Sequence, residues 1–156
     1  MLTSSQIPFT GDSRTYISTE NREGYFPISI SGRPTPLCIC SEDYPGVIRV
    51  AQLLQADIAR VTGAVPELFI DNFSSAKEIV LIGTLGHSPI IDRLVQDKKL
   101  DITDLAGKRE MFVLQGIQNP MSGVEHALVI AGSDKRGTLY GMLDLSTHIG
   151  VSPWYW

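Results

Sequence analysis

No apolar run in this chain approaches the roughly 20 residues that a helix needs to cross a bilayer, which excludes a membrane-spanning helix. Basic charge is scarce and scattered. The 13 Lys and Arg are outnumbered by 17 Asp and Glu, for a formal net charge of −4, so the chain lacks the concentrated basic face that phosphate neutralisation requires, and nucleic acid is excluded as a partner. Cysteine is limited to Cys38 and Cys40. Two apart on a strand, they share a face about 7 Å from each other, beyond ordinary disulfide geometry, and they read as small core hydrophobes. The three histidines, His87, His126 and His148, show no ligand spacing with these thiols, so neither a metal nor a cofactor is read from the sequence. Residues 1–14 lack a charged segment followed by an apolar core, so no secretory signal is visible. Repeats, low-complexity tracts and an interior linker are also missing, and tryptophan is absent before position 154.

What is present is the composition of one globular domain. At 156 residues, with 43% hydrophobic and 19% charged residues, the chain is long enough to bury about 70% of its unfolded surface without metal or disulfide staples. Residues 1–24, rich in Thr, Ser, Asn and charge, read as an irregular arm, and the domain itself as 25–153. The run Tyr25 to Ser31 alternates like a half-buried strand, held to an edge by Pro27, and Gly32 to Pro36 turns it toward Leu37-Cys38-Ile39-Cys40 as a candidate hairpin. Glu42, Asp43 and Pro45 open a long helix whose apolar stripe is Val47, Val50, Ala51, Leu54, Ile58 and Val61, with Arg49, Gln52, Gln55, Asp57 and Arg60 mostly on the other side and Gly63 as its cap. A short strand at 67–70 precedes a buried strand at 78–82, a short helix at 89–96, and an antiparallel pair of strands at 110–117 and 127–131. Asn72-Phe73-Ser74 is a glycosylation sequon, meaningful only on a secreted chain.

The apolar run Ala127 to Ala131 passes through the polar turn Gly132 to Gly137 into a helix with the stripe Leu139, Met142, Leu143, Ser146 and Ile149. Ser133 or Asp134 caps its start, Gly150 caps its end and Pro153 forbids continuation. The element order predicts an α/β fold, an α+β sandwich with a mixed sheet and the two long helices mainly on one face. Two glycine-rich turns, 83–86 and 132–137, invite a phosphate-binding reading. The first lacks the third glycine of a dinucleotide loop, and the second has Thr138 where the phosphate-binding lysine must stand. After Pro153 come Trp154, Tyr155 and Trp156, alternating aromatics that read as the opening of a strand at which the chain has been cut.

The run Ala131 to Gly141, followed by Ile149 to Trp156, resembles the end of the N-terminal domain of glycoside hydrolase family 115, the xylan α-1,2-glucuronosidases. Gly46 to Ala51, Asp57 to Gly63 and Ile82 to Ser88 resemble the same family in the same order, so the likeness runs from about Phe26 onward. It implies the small noncatalytic α/β domain that precedes the catalytic barrel in hexosaminidase-like and α-glucuronidase enzymes. The full-length enzyme would remove glucuronic acid or its 4-O-methyl ether from the O-2 of xylose in glucuronoxylan, with inversion, without a cofactor, and outside the cell.

Under that resemblance residues 154–156 begin a (β/α)8 barrel absent from this chain, which would carry every catalytic residue at the C-terminal ends of its strands. The fragment alone is then inactive, and its partners are the barrel, packed intramolecularly, and glucuronoxylan or its oligosaccharides through that barrel. The full-length enzyme is a candidate homodimer. Substrate-proximal candidates are Trp154, Tyr155 and Trp156, as stacking faces for sugar or as packing for the interdomain seam, and Asp134, Lys135 and Arg136, with Arg136 suited to a uronate carboxylate or the whole turn serving as a helix cap. A stand-alone carbohydrate-binding or interaction module without catalysis is the competing reading.

Overall fold

The computed structural model describes residues 17–18, 26–27, 29–30, 33–72 and 76–149. Its elements are β1 (Ile17–Ser18), β2 (Phe26–Pro27), β3 (Ser29–Ile30), β4 (Arg33–Pro34), β5 (Leu37–Ile39), α1 (Pro45–Thr62), β6 (Leu68–Ile70), β7 (Glu78–Thr84), α2 (Pro89–Gln96), β8 (Phe112–Met121), β9 (Val124–Gly132) and α3 (Lys135–His148). Five of the strands form one sheet in the order β6-β5-β7-β9-β8, parallel except for β8, which runs antiparallel to β9. The fold is therefore α/β with a mixed sheet, as the element order predicts.

Each face of that sheet carries its own core, because strands with apolar residues at consecutive positions must be covered on both sides. Val80 and Ile82 of β7 and Leu128 and Ile130 of β9 pack with Val47, Ala51, Leu54 and Ile58 of α1 and Met142 and Leu145 of α3. Ile79 and Leu81, with Ala127, Val129 and Ala131, pack instead with Ile91 and Leu94 of α2 and with Leu100 and Leu105. The two long helices thus share one face and the short helix covers the other. Gly63 ends α1 with a left-handed φ of 82°, its N–H bonding Ala59 O at 2.9 Å, which is the cap its position predicts.

Five expectations need correction. The run before Gly32 pairs with Arg33–Pro34, so the segment read as a turn supplies the second strand of a two-residue ladder. The cysteine strand β5 forms no hairpin; it lies parallel between β6 and β7, because its flanking residues are buried on both sides and need neighbours on both edges. Both cysteines are free and buried as expected, and burial, followed by the neighbouring Cys40 and Asp71, pushes the Cys38 thiol up to about 12.

Asp57 is not on the solvated face of α1. It is 1% exposed and faces α3, where Ser146 Oγ donates to its carboxylate at 3.1 Å and the Arg60 guanidinium, one turn on, pairs with it. Val61, assigned to the apolar stripe, is 38% exposed. The buried face of α3 is also rotated from the expected stripe: it comprises Gly137, Thr138, Gly141, Met142, Leu145 and Ser146, with Leu139 and Leu143 only half-buried. The cause is steric. A Cβ on Gly141 would lie 2.7 Å from Ile130 Cγ2 and 3.3 Å from the Phe112 ring. One on Gly137 would strike the Met111 carbonyl, and one on Gly132 the backbone N of Thr138. The helix sits down on β8 and β9 through its small residues. The expected C-cap Gly150 lies outside the described residues, and Ile149 occupies the cap position.

Gly132→Ala is therefore expected to cost about 3 kcal/mol, since the obstruction is backbone and cannot rotate away. Gly63→Ala, where nothing lies within 4 Å and only the positive φ resists, is expected to cost about 1 kcal/mol. Urea denaturation of both variants checks this, and equal midpoints would show that close approach is not what seats α3.

Candidate functional site

The chain leaves β5 for α1 over one face and leaves β7 for α2 over the other, so the connections diverge between these two adjacent parallel strands. In open α/β sheets the crevice outside the carboxyl ends of strands at such a switch point is where ligands bind. Here it is lined by 40–44 after β5 and 84–88 after β7, with 132–138 alongside after β9, and the N-termini of α1, α2 and α3 follow those same three segments.

The buried layer of this edge is polar and closed on itself. Asp43, 4% exposed, does not simply sit over the positive end of α1. Its Oδ2 accepts from Thr84 N at 2.9 Å and its Oδ1 from Tyr44 N at 2.8 Å, tying the two diverging loops together. Thr84 Oγ1 and Thr138 Oγ1 are 2.7 Å apart, and Thr138 Oγ1 also donates within reach of the Asp134 and Gly83 carbonyls at 3.1 and 3.4 Å. Ser88 Oγ lies 3.4 Å from Cys40 Sγ and accepts from Ile91 N, capping α2. Among the described residues no buried side-chain N or O lacks a partner. The glycine-rich turn before α3 is thus a packing device, because Thr138 and Met111 fill the space its glycines vacate.

Above this layer, at the solvent, Tyr44 Oη and His87 Nε2 are hydrogen-bonded at 2.8 Å, with ring centroids 4.3 Å apart and planes inclined at 39°. The predicted trio Asp134, Lys135 and Arg136 stands at the same edge. Asp134 is the N-cap of α3: Oδ1 accepts from Gly137 N at 2.8 Å and Oδ2 from Glu110 N at 3.0 Å. Ser133, the other cap candidate, instead accepts from Met111 N through Oγ at 3.1 Å. Arg136 Nη1 pairs with Glu110 Oε1 at 2.9 Å, and Lys135 is exposed, its side chain beside Gly46 at the start of α1. Asp134 and Arg136 therefore clamp the loop 109–111 to the start of α3, and Lys135 takes no part in that clamp. Trp154, Tyr155 and Trp156 lie outside the described residues.

The aspartates of this edge are held by backbone amides: Asp71 accepts from Ser41 N at 2.8 Å and Asp92 from Gly86 N at 2.9 Å, as Asp43 and Asp134 do from theirs. Those bonds stabilise the charged form. They hold Asp71 below the ordinary carboxyl range, and Gly137 N and Glu110 N, with Arg136 and Arg109 adding, do the same to Asp134. A glycosidase general acid needs the opposite shift. Sequence reasoning missed the Tyr44–His87 and Asp43–Thr84 pairs, whose members are 43 and 41 residues apart. Only the pairing of β5 with β7 brings them together.

Fold and sequence together relate the chain to glycoside hydrolase family 115. Among solved structures it is similar to a family GH115 4-O-methyl-α-glucuronidase, BtGH115A, described as having specificity for decorated arabinogalactans, with 32% identity and a TM-score of 0.63 over 81% of this chain. The chain spans 15% of that enzyme's length. No protein-family model matches the chain, and no curated protein matches it.

Because the Asp134 carboxyl is depressed in the folded state, its stabilisation is present above the unfolded carboxyl pKa and is lost as pH falls through the folded value. Asp134→Ala is expected to lower stability by about 1 kcal/mol at pH 7, the worth of an N-cap. Urea midpoints of wild type and variant should converge as pH is lowered below about 4. A gap that persists unchanged in acid would place the effect elsewhere than in the carboxylate.

Proposed function

We propose that this chain is the N-terminal, noncatalytic α/β domain of a family GH115 α-glucuronidase, comprising an arm at 1–24, the domain at 25–153, and at 154–156 the first residues of a catalytic barrel. The observation that carries the reading is the 32% identity to BtGH115A over 81% of this chain while only 15% of that enzyme is spanned, which leaves most of such an enzyme for other domains. Four aspartates of the switch-point edge support it, since they are spent on backbone amides and two of them are pushed away from general-acid behaviour. The domain's work is then to pack against the barrel, with Trp154, Tyr155 and Trp156 at the seam or against the sugar. The full-length enzyme, acting outside the cell and as a homodimer, removes glucuronic acid or its 4-O-methyl ether from a plant polysaccharide by inverting hydrolysis.

Glucuronoxylan is the substrate that the sequence resemblance implies. The specificity of BtGH115A for decorated arabinogalactans favours a second reading, in which the uronic acid caps an arabinogalactan side chain. Both are tested by incubating the full-length gene product and the 156-residue chain separately with glucuronoxylan and with arabinogalactan and measuring released uronic acid. The full-length protein is expected to release it from one polysaccharide in clear preference to the other, and the 156-residue chain from neither. Release from neither by the full-length protein would sink the enzyme reading. Saturable xylan binding by the short chain as a soluble monomer would favour a stand-alone module.

A further inference from the structure

The opposite end of the sheet carries a different kind of cluster. Glu78 opens β7, and its register partner on β9 is His126, whose partner on β8 is Gln118, so the three lie in one cross-strand row on three adjacent strands. Glu125 would ordinarily point to the other face, since consecutive strand residues alternate. Here the ladder is irregular: the N–H groups of Glu125 and His126 both donate to the Lys77 carbonyl, at 2.8 and 3.0 Å, and the β8–β9 register shifts between Gln118 and Met121. Such an irregularity re-aims side chains. As a result one ligand atom from each of Glu78, Glu125 and His126 lies within 4.8 Å of the others.

The surroundings of these groups differ from those of the carboxylates at the switch-point edge. Among the described residues neither Glu78 nor Glu125 has a side-chain hydrogen bond to a backbone amide, and the contact between Glu78 Oε1 and His126 Nδ1 is a loose 3.7 Å. Glu78 and His126 are 24% and 35% exposed, held by their strands yet reachable from solvent, and Glu125 is exposed. Two carboxylates and a neutral imidazole offer two negative charges and one nitrogen, which suits a divalent ion. The imidazole selects zinc-like ions over calcium or magnesium, whose shells are built from oxygen. Ligand atoms about 2.0–2.1 Å from zinc stand about 3.4 Å apart in a tetrahedral shell, so rotation about the Glu125 side-chain torsions closes the set.

We propose that Glu78, Glu125 and His126 form a surface site for a zinc-like divalent transition-metal ion, with three protein ligands and the remaining position open to water or to a donor from a bound partner.

Calorimetric titration of the chelator-stripped chain with zinc chloride tests it, with calcium chloride as the comparison. One zinc per chain is expected, with no saturable calcium binding. His126→Gln and Glu78→Gln should each weaken zinc binding by at least about tenfold, the usual scale for losing an interaction that holds a metal. Glu125→Gln should do the same, and because that side chain is exposed the variant keeps the test valid if another one destabilises the fold. Thermal melting of each metal-free variant gives the fold control. Absence of a one-to-one zinc isotherm, or binding that survives His126→Gln but is lost in His87→Gln or His148→Gln, would overturn the assignment.

Discussion

The close seating of α3 on β8 and β9 is the contact on which the rest of the domain depends. It is made by what is absent from Gly132, Gly137 and Gly141, where side chains would occupy the space now filled by Thr138, Met111, Ile130 and Phe112. Because the helix approaches this closely, Thr138 reaches Thr84 across the sheet edge and Asp134 reaches the backbone of Glu110. Its far end brings Ser146 to Asp57 of α1, so the two helices of one face are joined by a buried polar contact as well as by Leu54, Ile58 and Leu145. A buried carboxylate left without these partners would be costly, which makes the helix pair specific in register and not merely apolar.

From that seating follows the character of the switch-point edge. Three loops and three helix N-termini meet there: Ser88 caps α2, Asp134 caps α3, Asp43 ties Tyr44 to Thr84, and the hydroxyls of Thr84 and Thr138 bridge strand to helix. Toward solvent it presents, among other residues, Tyr44 bonded to His87, Lys135 and Arg136 paired with Glu110. The shifts resolved at this edge, on Asp71 and Asp134, run opposite to the one that a glycosidase general acid needs.

The two ends of the sheet therefore divide the acidic residues into different physical states. At the carboxyl end Asp43, Asp71, Asp92 and Asp134 are structural acceptors for backbone amides. At the amino end Glu78 and Glu125 flank an imidazole on an irregular strand, their oxygens bonded to no backbone amide among the described residues. A carboxylate is thus a cap in one place and a candidate ligand in the other, aspartate at the first and glutamate at the second.

The sequence alone was enough for the class and for the longer elements, though it read Arg33–Pro34 and the end of β8 as turns. The 3.6-residue stripe of α1 with Gly63 behind it, the apolar runs of β7 and β9, the span 89–96 and the order of strands and helices lead to an α/β sandwich with the long helices together, because periodicity and capping are local properties. The cap role of Asp134 was legible for the same reason. Tertiary structure alone decided what depends on partners: β5 parallel between β6 and β7 instead of in a hairpin, Asp57 turned inward onto Ser146, the rotation of α3 onto its glycines, and the meeting of Tyr44 with His87. Each is a contact between residues distant in sequence, and glycine in particular leaves no hydrophobic signal by which a buried face can be recognised.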